Sequence, residues 1–180
     1  GVAAVQPFTF MDEDWAAIDI AGGTETLAEA GPALAASDAA IVCLPADAGA
    51  AVLAAPYLRL VEEAGLPAFL FVNKIDATQD RAADIVAGLQ AYCRHNLVLR
   101  QVPIRENGTI TGAVDLISER AWHYEEGKPS SLVKLPGEML AREQEARGEL
   151  LEALADHDDH LLEELIEDHA PLAAEVYEVA

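Results

Sequence analysis

Short apolar runs alternate with longer amphipathic segments along the first half of the chain. Apolar runs that predict strands occupy residues 5–10, 14–20, 39–44 and 67–73, and periodic segments that predict helices occupy 25–36, 48–64 and 78–95. The first two strands flank an acidic turn at 11–14, so we expect them to form a hairpin. The later alternation of strand and helix is typical of βαβ units, which predicts a mainly parallel sheet covered on both faces.

The pattern changes after Asn96. Three short antiparallel strands are expected at 97–105, 109–117 and 120–125, with Asn107-Gly108 as a hairpin turn. A second break follows at 127–129, and a long helical stretch with an apolar leucine stripe begins near Pro136. The sequence therefore predicts a βαβ part at 1–96 and an α+β subdomain at 97–180.

Composition narrows the class of protein. The chain has 180 residues, 52% of them hydrophobic, which is enough to bury the core of one domain with a modest subdomain. Eleven Lys and Arg against 32 Asp and Glu give a net charge of −21, and a field of that sign repels nucleic acids and anionic lipids. The charge leaves two explanations open, a solvated acidic surface or a basic protein partner.

Two further features of the sequence bear on where in the cell the protein resides. No apolar stretch approaches the roughly 18 residues that a membrane span needs. The two cysteines, Cys43 and Cys93, imply no disulfide framework and suit a reducing environment. We therefore expect a cytoplasmic protein that binds neither membrane nor nucleic acid directly.

The tetrapeptide Asn73-Lys74-Ile75-Asp76 follows the apolar run at 67–72. Ligands of α/β sheets bind outside the carboxyl ends of the strands, where this N-K-x-D sequence is expected. A carboxylate at Asp76 can accept hydrogen bonds from both N1–H and N2–H₂ of guanine, whereas adenine presents a lone pair there. Such a bidentate pair discriminates by about 1–3 kcal/mol. Asn73 would hold the loop and the stem of Lys74 would lie along the base, although a simple helix cap remains the alternative.

A second motif ends the strand at 14–20. Asp19 is followed three residues later by Gly22, a D-x-x-G turn in which the Asp can hold magnesium through water. The backbone N–H of Gly22 can approach a γ-phosphate, because glycine has no side chain to obstruct it. Ordinary turn chemistry is the alternative for this motif taken alone. Both motifs nevertheless occur in the order that a GTPase sheet requires.

With these motifs the sequence resembles the GTPase domain of elongation factor G, and more closely the elongation factor G-like translational GTPases. The resemblance covers nearly the whole chain and is carried by residues 19–23, 38–43, 71–76, 103–104, 112–116 and Tyr124. It implies an α/β fold with a P-loop-GTPase-like, mainly parallel sheet and an inserted α+β subdomain. It also implies guanine binding by Asn73, Lys74 and Asp76, and magnesium-water and phosphate contacts by Asp19 and Gly22.

The resemblance extends to ligands and partners of a parent protein. GTP or GDP with magnesium would be its ligands, and the ribosome would be its partner. The acidic helical face at 138–167 would contact the ribosomal stalk. These expectations concern the parent, because the chain begins at Gly1 without a Met and stops at Ala180 within helical periodicity, as an internal piece would.

The sequence departs from the family at three places. Ala21 and Gly23 stand where the family has a Pro and the catalytic His that positions the attacking water. The chain contains no G-x-x-x-x-G-K-[ST] phosphate loop, since Gly127-Lys128 is followed by Pro129. That loop supplies most of the affinity for nucleotide. We therefore expect the chain alone to be inactive and to bind little or no nucleotide.

The expected sheet lacks the strand that leads into the phosphate loop. In the family this strand lies between those predicted here at 14–20 and 39–44. Either these two strands close the gap, or an open slot offers unpaired backbone groups to another chain. Self-association of the chain is the expected consequence of an open slot.

Two alternative functions remain open at this point. Gly23 favours a degenerate, non-catalytic GTPase-like module that binds partners without hydrolysis. A metal-dependent phosphohydrolase is suggested by the metal-ligand residue types at 156–160 and at His169, with His157 and His160 as the required ligands. We interpret that cluster instead as a solvated connection between helices.

Overall fold

A computed structural model of the chain describes residues 3–47, 49, 51–78 and 81–180. Two compact units emerge. The described parts of Gly1–Lys74 and Gly88–His95 form the first unit, and the described parts of Ile75–Ala87 and Asn96–Ala180 form the second. The predicted helices at 48–64 and 78–95 include positions 48, 50, 79 and 80, which lie outside the described residues.

The first unit contains two pairs of strands and two helices. Its elements are β1 (Ala4–Phe10), β2 (Glu13–Asp19), α1 (Leu27–Ala35), β3 (Ala40–Pro45), α2 (Ala51–Ala64) and β4 (Ala68–Asn73). The predicted hairpin is confirmed, because β1 and β2 pair antiparallel from Ala4 opposite Asp19 to Phe10 opposite Glu13. Met11 and Asp12 have φ of +52° and +63°, the left-handed pair that a tight hairpin turn requires.

The predicted βαβ unit is also confirmed. β3 and β4 pair in parallel, with Ala40 opposite Ala68 and Pro45 opposite Asn73. Helix α2 connects the two strands and packs against α1. Small and aliphatic side chains on these two helices are buried, among them Ala30 on α1 and Ala54, Leu58 and Val61 on α2.

Of the two arrangements expected for the strands at 14–20 and 39–44, a sheet in which they pair and close the gap is not observed among the described residues. β2 pairs only with β1, and β3 pairs only with β4, so the first unit holds one antiparallel and one parallel pair. The expectation that both faces would be covered is likewise wrong for β3 and β4, where Ile41, Phe69 and Phe71 are exposed. The physical reason is that no described strand bridges the interval between β2 and β3.

The second unit contains an antiparallel sheet. Its strands are β5 (Gln101–Glu106), β6 (Thr109–Asp115), β7 (Arg120–His123) and β8 (Ser131–Val133), paired in that order. Asn107 and Gly108, with φ of +51° and +82°, form the predicted turn between β5 and β6. The sequence pattern placed the first of these strands at 97–105. Residues Val98 and Leu99 instead pack against the helical core of this unit, and β5 begins only at Gln101.

Helices form the rest of the second unit. They are α3 (Ala82–Gln90), whose residues as far as Ala87 are assigned to this unit, α4 (Leu140–Ala155), α5 (Asp159–Ile166) and α6 (Ala173–Val179). One hydrophobic core cluster joins α4, α5 and α6 to the turn after β6 and consists of Leu116, Ile117, Ala146, Leu150, Leu151, Ala155, Leu161 and Val176. The mixed α/β class expected from the sequence is therefore confirmed. None of the described helices combines the length and the apolar character that crossing a membrane demands.

Candidate functional site

The loop that leaves β4 is built by a side-chain hydrogen bond. β4 ends at Asn73, and the backbone N–H of Lys74 donates to Oδ1 of Asn73 at 2.8 Å. Lys74 has φ of +58°, a left-handed conformation that is uncommon outside glycine and is stabilised here by the adjacent amide side chain. The carbonyl of Asn73 also accepts from the N–H of Ala46, which follows β3. The loop is thereby fixed at the carboxyl ends of both parallel strands.

Asp76 lies in a short 3-10 helix, Ile75–Ala77, which belongs to the second unit. Its side chain is exposed, so its two carboxylate oxygens are accessible to a ligand. The helix-capping alternative is not supported, because α3 begins only at Ala82 and the Asn73 oxygen bonds to its own neighbour. The predicted guanine-reading residues are therefore a hydrogen-bonded pair, Asn73 and Lys74, followed directly by an exposed carboxylate.

Arg105 is a residue of this loop that the sequence did not reveal. Its Nη2 donates to the carbonyl of Ile75 at 3.0 Å, although the two residues are 30 positions apart. The guanidinium thus holds the backbone between Lys74 and Asp76. No sequence signal identifies such a contact, because it depends on how the antiparallel sheet packs against the short 3-10 helix, which contacts β6.

The predicted phosphate-side residues follow β2. Asp19 is the last residue of that strand and has an exposed carboxylate. A Cβ placed on Gly22 would meet no atom within 4 Å, so the backbone there is open to the approach of a ligand. Both residues fit the chemistry expected of a site for magnesium-bound water and phosphate. No hydrogen bond or ion pair of the described residues joins them to Asn73 or Lys74.

Tyr57 is a second contact that sequence reasoning missed. Its hydroxyl accepts from the N–H of Gly23 at 2.9 Å and lies 2.6 Å from the Gly23 carbonyl, to which it donates. The buried Thr26 hydroxyl lies within hydrogen-bond distance of the carbonyls of Ala21 and Gly23. Through Tyr57, helix α2 therefore anchors the loop between Asp19 and α1 at Gly23. This is the position at which the family that the sequence resembles has its catalytic His.

A cavity of about 230 Å³ in the first unit does not involve the predicted site residues. It is lined by Arg59, Glu62, Glu63, Ala91, Tyr92, Cys93 and Arg94. Burial raises the pKa of the Cys93 thiol, and the Glu62 carboxylate raises it further. A thiol of raised pKa is mostly protonated at neutral pH and is therefore a poor nucleophile.

The acidic cluster at 156–160 does not form the metal group that its residue types suggested. Asp158 caps α5, because its Oδ1 accepts from the N–H of Leu161 at 2.8 Å, and His157 lies in the exposed connection before it. His169 instead lies 3.3 Å from the Glu167 carboxylate. The donor atoms that converge belong to His160, Glu164 and Glu175, which lie within 4.8 Å of one another.

Comparisons with known proteins identify relatives across most of the chain. Residues 3–167 match the family profile of the elongation factor Tu GTP binding domain. The chain is 33% identical over 159 residues to an elongation factor G-like protein of Synechocystis sp. (strain ATCC 27184 / PCC 6803 / Kazusa), an alignment that covers 88% of this chain and 24% of that protein. It is 31% identical over 153 residues to elongation factor G 1 of Desulfotalea psychrophila, covering 84% of this chain and 22% of that protein.

A solved structure gives the same result at the level of the fold. A crystal structure of a protein from Thermus thermophilus superposes with a TM-score of 0.84 at 28% sequence identity, over 98% of this chain and 26% of that one. The chain therefore spans about a quarter of the length of the proteins that it matches.

Proposed function

The chain belongs to the family of the elongation factor Tu GTP-binding domain, and we propose that it is the guanine-reading part of an elongation factor G-like translational GTPase. In this proposal residues 1–96 are a partial GTPase domain, and residues 97–180 are the subdomain that the family inserts. The parent protein is cytoplasmic, binds GTP or GDP with magnesium, and acts with the ribosome in elongation or translocation.

The loop from Asn73 to Asp76 is the observation that carries the proposal. It stands at the carboxyl end of a parallel strand, where α/β folds bind ligands. Asn73 holds the backbone of Lys74 in the first unit, and Arg105 holds the carbonyl of Ile75 in the second, next to the exposed Asp76 carboxylate. Accepting N1–H and N2–H₂ together selects guanine over adenine by about 1–3 kcal/mol.

Asp19 and Gly22 supply the phosphate side in the parent. When bound there, magnesium neutralises charge that develops on the phosphate oxygens during transfer to water. The exposed Asp19 carboxylate would hold the water shell of the ion, and the open backbone at Gly22 would receive the terminal phosphate. The chain has no phosphate loop, so we infer that this piece alone does not hydrolyse GTP and has little affinity for nucleotide.

The acidic helices of the second unit are the proposed contact with the ribosome. Their exposed carboxylates on α4 and α5 suit a basic partner, and the ribosomal stalk is the partner that the resemblance implies. The same net charge of −21 disfavours direct contact with nucleic acid by this segment.

Gly23 supports a second candidate, a non-catalytic GTPase-like interaction module. Glycine has no side chain with which to orient an attacking water, and both backbone groups of Gly23 are occupied by Tyr57. The parent would then bind nucleotide as a switch without turnover. Steady-state GTP turnover by the parent, with and without ribosomes, distinguishes the candidates, because only the GTPase releases phosphate above background.

Calorimetric titration of the 180-residue chain with GDP tests whether the phosphate loop, which this chain lacks, supplies most of the affinity for nucleotide. We expect affinity weaker than micromolar, because the β-phosphate has no backbone cradle here. The parent, titrated under the same conditions, is expected to bind GDP tightly. Micromolar or tighter binding by the isolated chain would refute the inference that the missing phosphate loop supplies most of the affinity.

A further inference from the structure

We propose that His160, Glu164 and Glu175 form a zinc site that joins α5 to α6, a role separate from the proposed nucleotide function. His160 and Glu164 are four residues apart on α5, so they lie on the same face of that helix. Glu175 lies in the first turn of α6. One donor atom from each residue falls within 4.8 Å of the other two.

The donor set suits zinc. Zinc accepts imidazole nitrogen and carboxylate oxygen at about 2.0–2.2 Å, usually with four ligands in a tetrahedron. Ligand atoms in such a site stand about 3.3 Å apart, so these donors must close by up to roughly 1.5 Å. Rotation of two glutamate side chains and one imidazole provides that movement. A water molecule would complete the tetrahedron from the exposed side of His160.

One carboxylate oxygen of this group is buried without a hydrogen-bond partner. Oε2 of Glu164 is buried and has no hydrogen-bond partner. Among the residues that the structure describes, no Lys or Arg forms an ion pair with the carboxylate of Glu164 or Glu175. A buried carboxylate oxygen without a donor or cation is costly, and native structures commonly satisfy such an atom with an ion or a water. A divalent cation neutralises both carboxylates at once.

The helices fix the backbone positions that carry the donors, so only side-chain rotation is needed when an ion binds. Oε2 of Glu175 accepts from the N–H of Leu172 at 2.8 Å, which keeps this carboxylate at the start of α6, and a small rotation about its side-chain bonds can bring one oxygen closer to His160 and Glu164. The neighbours of two donors, Leu161 and Val176, belong to the buried core of the second unit. Both helices are therefore anchored next to the donors, while the exposed imidazole of His160 gives an ion a path from solvent.

The test is calorimetric titration of the 180-residue chain with zinc chloride in a large excess of magnesium. The excess magnesium is included to compete for oxygen-only sites elsewhere on the acidic surface, because magnesium prefers oxygen ligands to imidazole. We expect one zinc ion per chain. His160→Ala and Glu164→Gln should each weaken binding by about tenfold or more, whereas the control His169→Ala should change it by less than about twofold.

Thermal unfolding supplies a second readout. Zinc should raise the Tm of the wild-type chain and of His169→Ala, because a ligand that binds only the folded state stabilises it. It should not raise the Tm of His160→Ala, a variant at an exposed position that is expected to fold normally. Wild-type binding of zinc by His160→Ala, or failure of the wild-type chain to bind one zinc under these conditions, would overturn the proposal.

Discussion

Single side chains determine the conformation of the loop at the end of β4. Lys74 adopts a left-handed conformation because Asn73 supplies an acceptor for its N–H, and Arg105 holds the next carbonyl. The sequence predicted both the N-K-x-D motif and its position at the end of a strand. It did not predict the contacts of Arg105 and Tyr57, since each of these residues contacts a loop at least 30 residues away in the chain. Their roles follow from packing, which a local pattern does not encode.

Glu143 illustrates a residue whose environment opposes its charge. It lies on α4 with 3% of its surface exposed, and its Oε1 has no hydrogen-bond partner. Burial raises its pKa, the Glu119 carboxylate raises it further, and Arg147 partly opposes both effects. Arg147 itself is engaged by the carbonyls of Leu116 and Ile117 and by Glu119 at 3.5 Å.

Replacing Glu143 by Gln should stabilise the fold at neutral pH. The folded state favours the protonated carboxyl, so ionisation of Glu143 lowers stability as pH rises above the ordinary value of 4.5. At pH 7 the variant should gain on the order of 1 kcal/mol in the free energy of unfolding, because a buried charge becomes neutral. The gain should fade as pH falls toward and below that value. Urea denaturation at pH 7 and near pH 4 measures it.

Glu152→Gln is the matched control, since Glu152 is an exposed residue of the same helix. It should change the free energy of unfolding by less than about 0.5 kcal/mol at either pH. An equal effect of both substitutions, or a loss of stability in Glu143→Gln at pH 7, would contradict the burial argument.

Among the elements, the sequence predicted those with a strong local pattern. The β1–β2 hairpin, the parallel pair β3–β4 and the break between α4 and α5 were all readable. β8 was missed, because three residues carry too little periodicity and the strand forms only by pairing with β7. The strand predicted at 97–105 begins only at Gln101, and the apolar residues Val98 and Leu99 lie before it. Their apolar character instead serves the helical core, so burial was predictable there and strand pairing was not.

The contact between β6 and β7 depends on the absence of a side chain at Gly112. A Cβ built on this residue would lie 1.9 Å from the backbone oxygen of Trp122. Gly112→Ala should therefore destabilise the chain by about 1–3 kcal/mol, because backbone atoms must shift to relieve the overlap. Denaturant unfolding measures the loss.

Gly148→Ala is the matched control, because the same substitution at this position should raise the stability of the chain. Gly148 lies within α4, and a Cβ there would meet nothing within 4 Å. Alanine should stabilise the helix by roughly 0.5–1 kcal/mol. An equal free energy of unfolding for Gly112→Ala and Gly148→Ala would contradict the claim that β6 and β7 approach closely at Gly112.

At the scale of the whole molecule, the described chain leaves apolar strand faces without a cover. Side chains at least half exposed on the two strand pairs of the first unit include Val5 (64%), Phe10 (60%), Ile41 (67%), Phe69 (56%) and Phe71 (56%). Among the described residues, β2 and β3 also have no strand between them. Uncovered strand edges and apolar patches favour pairing with another chain.

We predict that the chain self-associates, and that association strengthens with salt. Apolar contact favours association, whereas the net charge of −21 on each copy opposes it, and salt screens that repulsion. Light scattering coupled to size exclusion, at low and high ionic strength, should show a mass above 19.2 kDa that rises with salt. Ile41→Lys should reduce the mass. A monodisperse monomer at every ionic strength would contradict the prediction.

The central claim is that Asp76 reads guanine, and nuclear magnetic resonance of the 180-residue chain tests it most directly even if binding is weak. Titration with GDP should shift the backbone amide signals of Lys74 and Asp76, while ADP at the same concentration should leave them in place. Asp76→Ala should abolish the response to GDP, because the acceptor for N1–H and N2–H₂ is gone. Equal shifts with GDP and ADP, or an unchanged response in Asp76→Ala, would contradict the account.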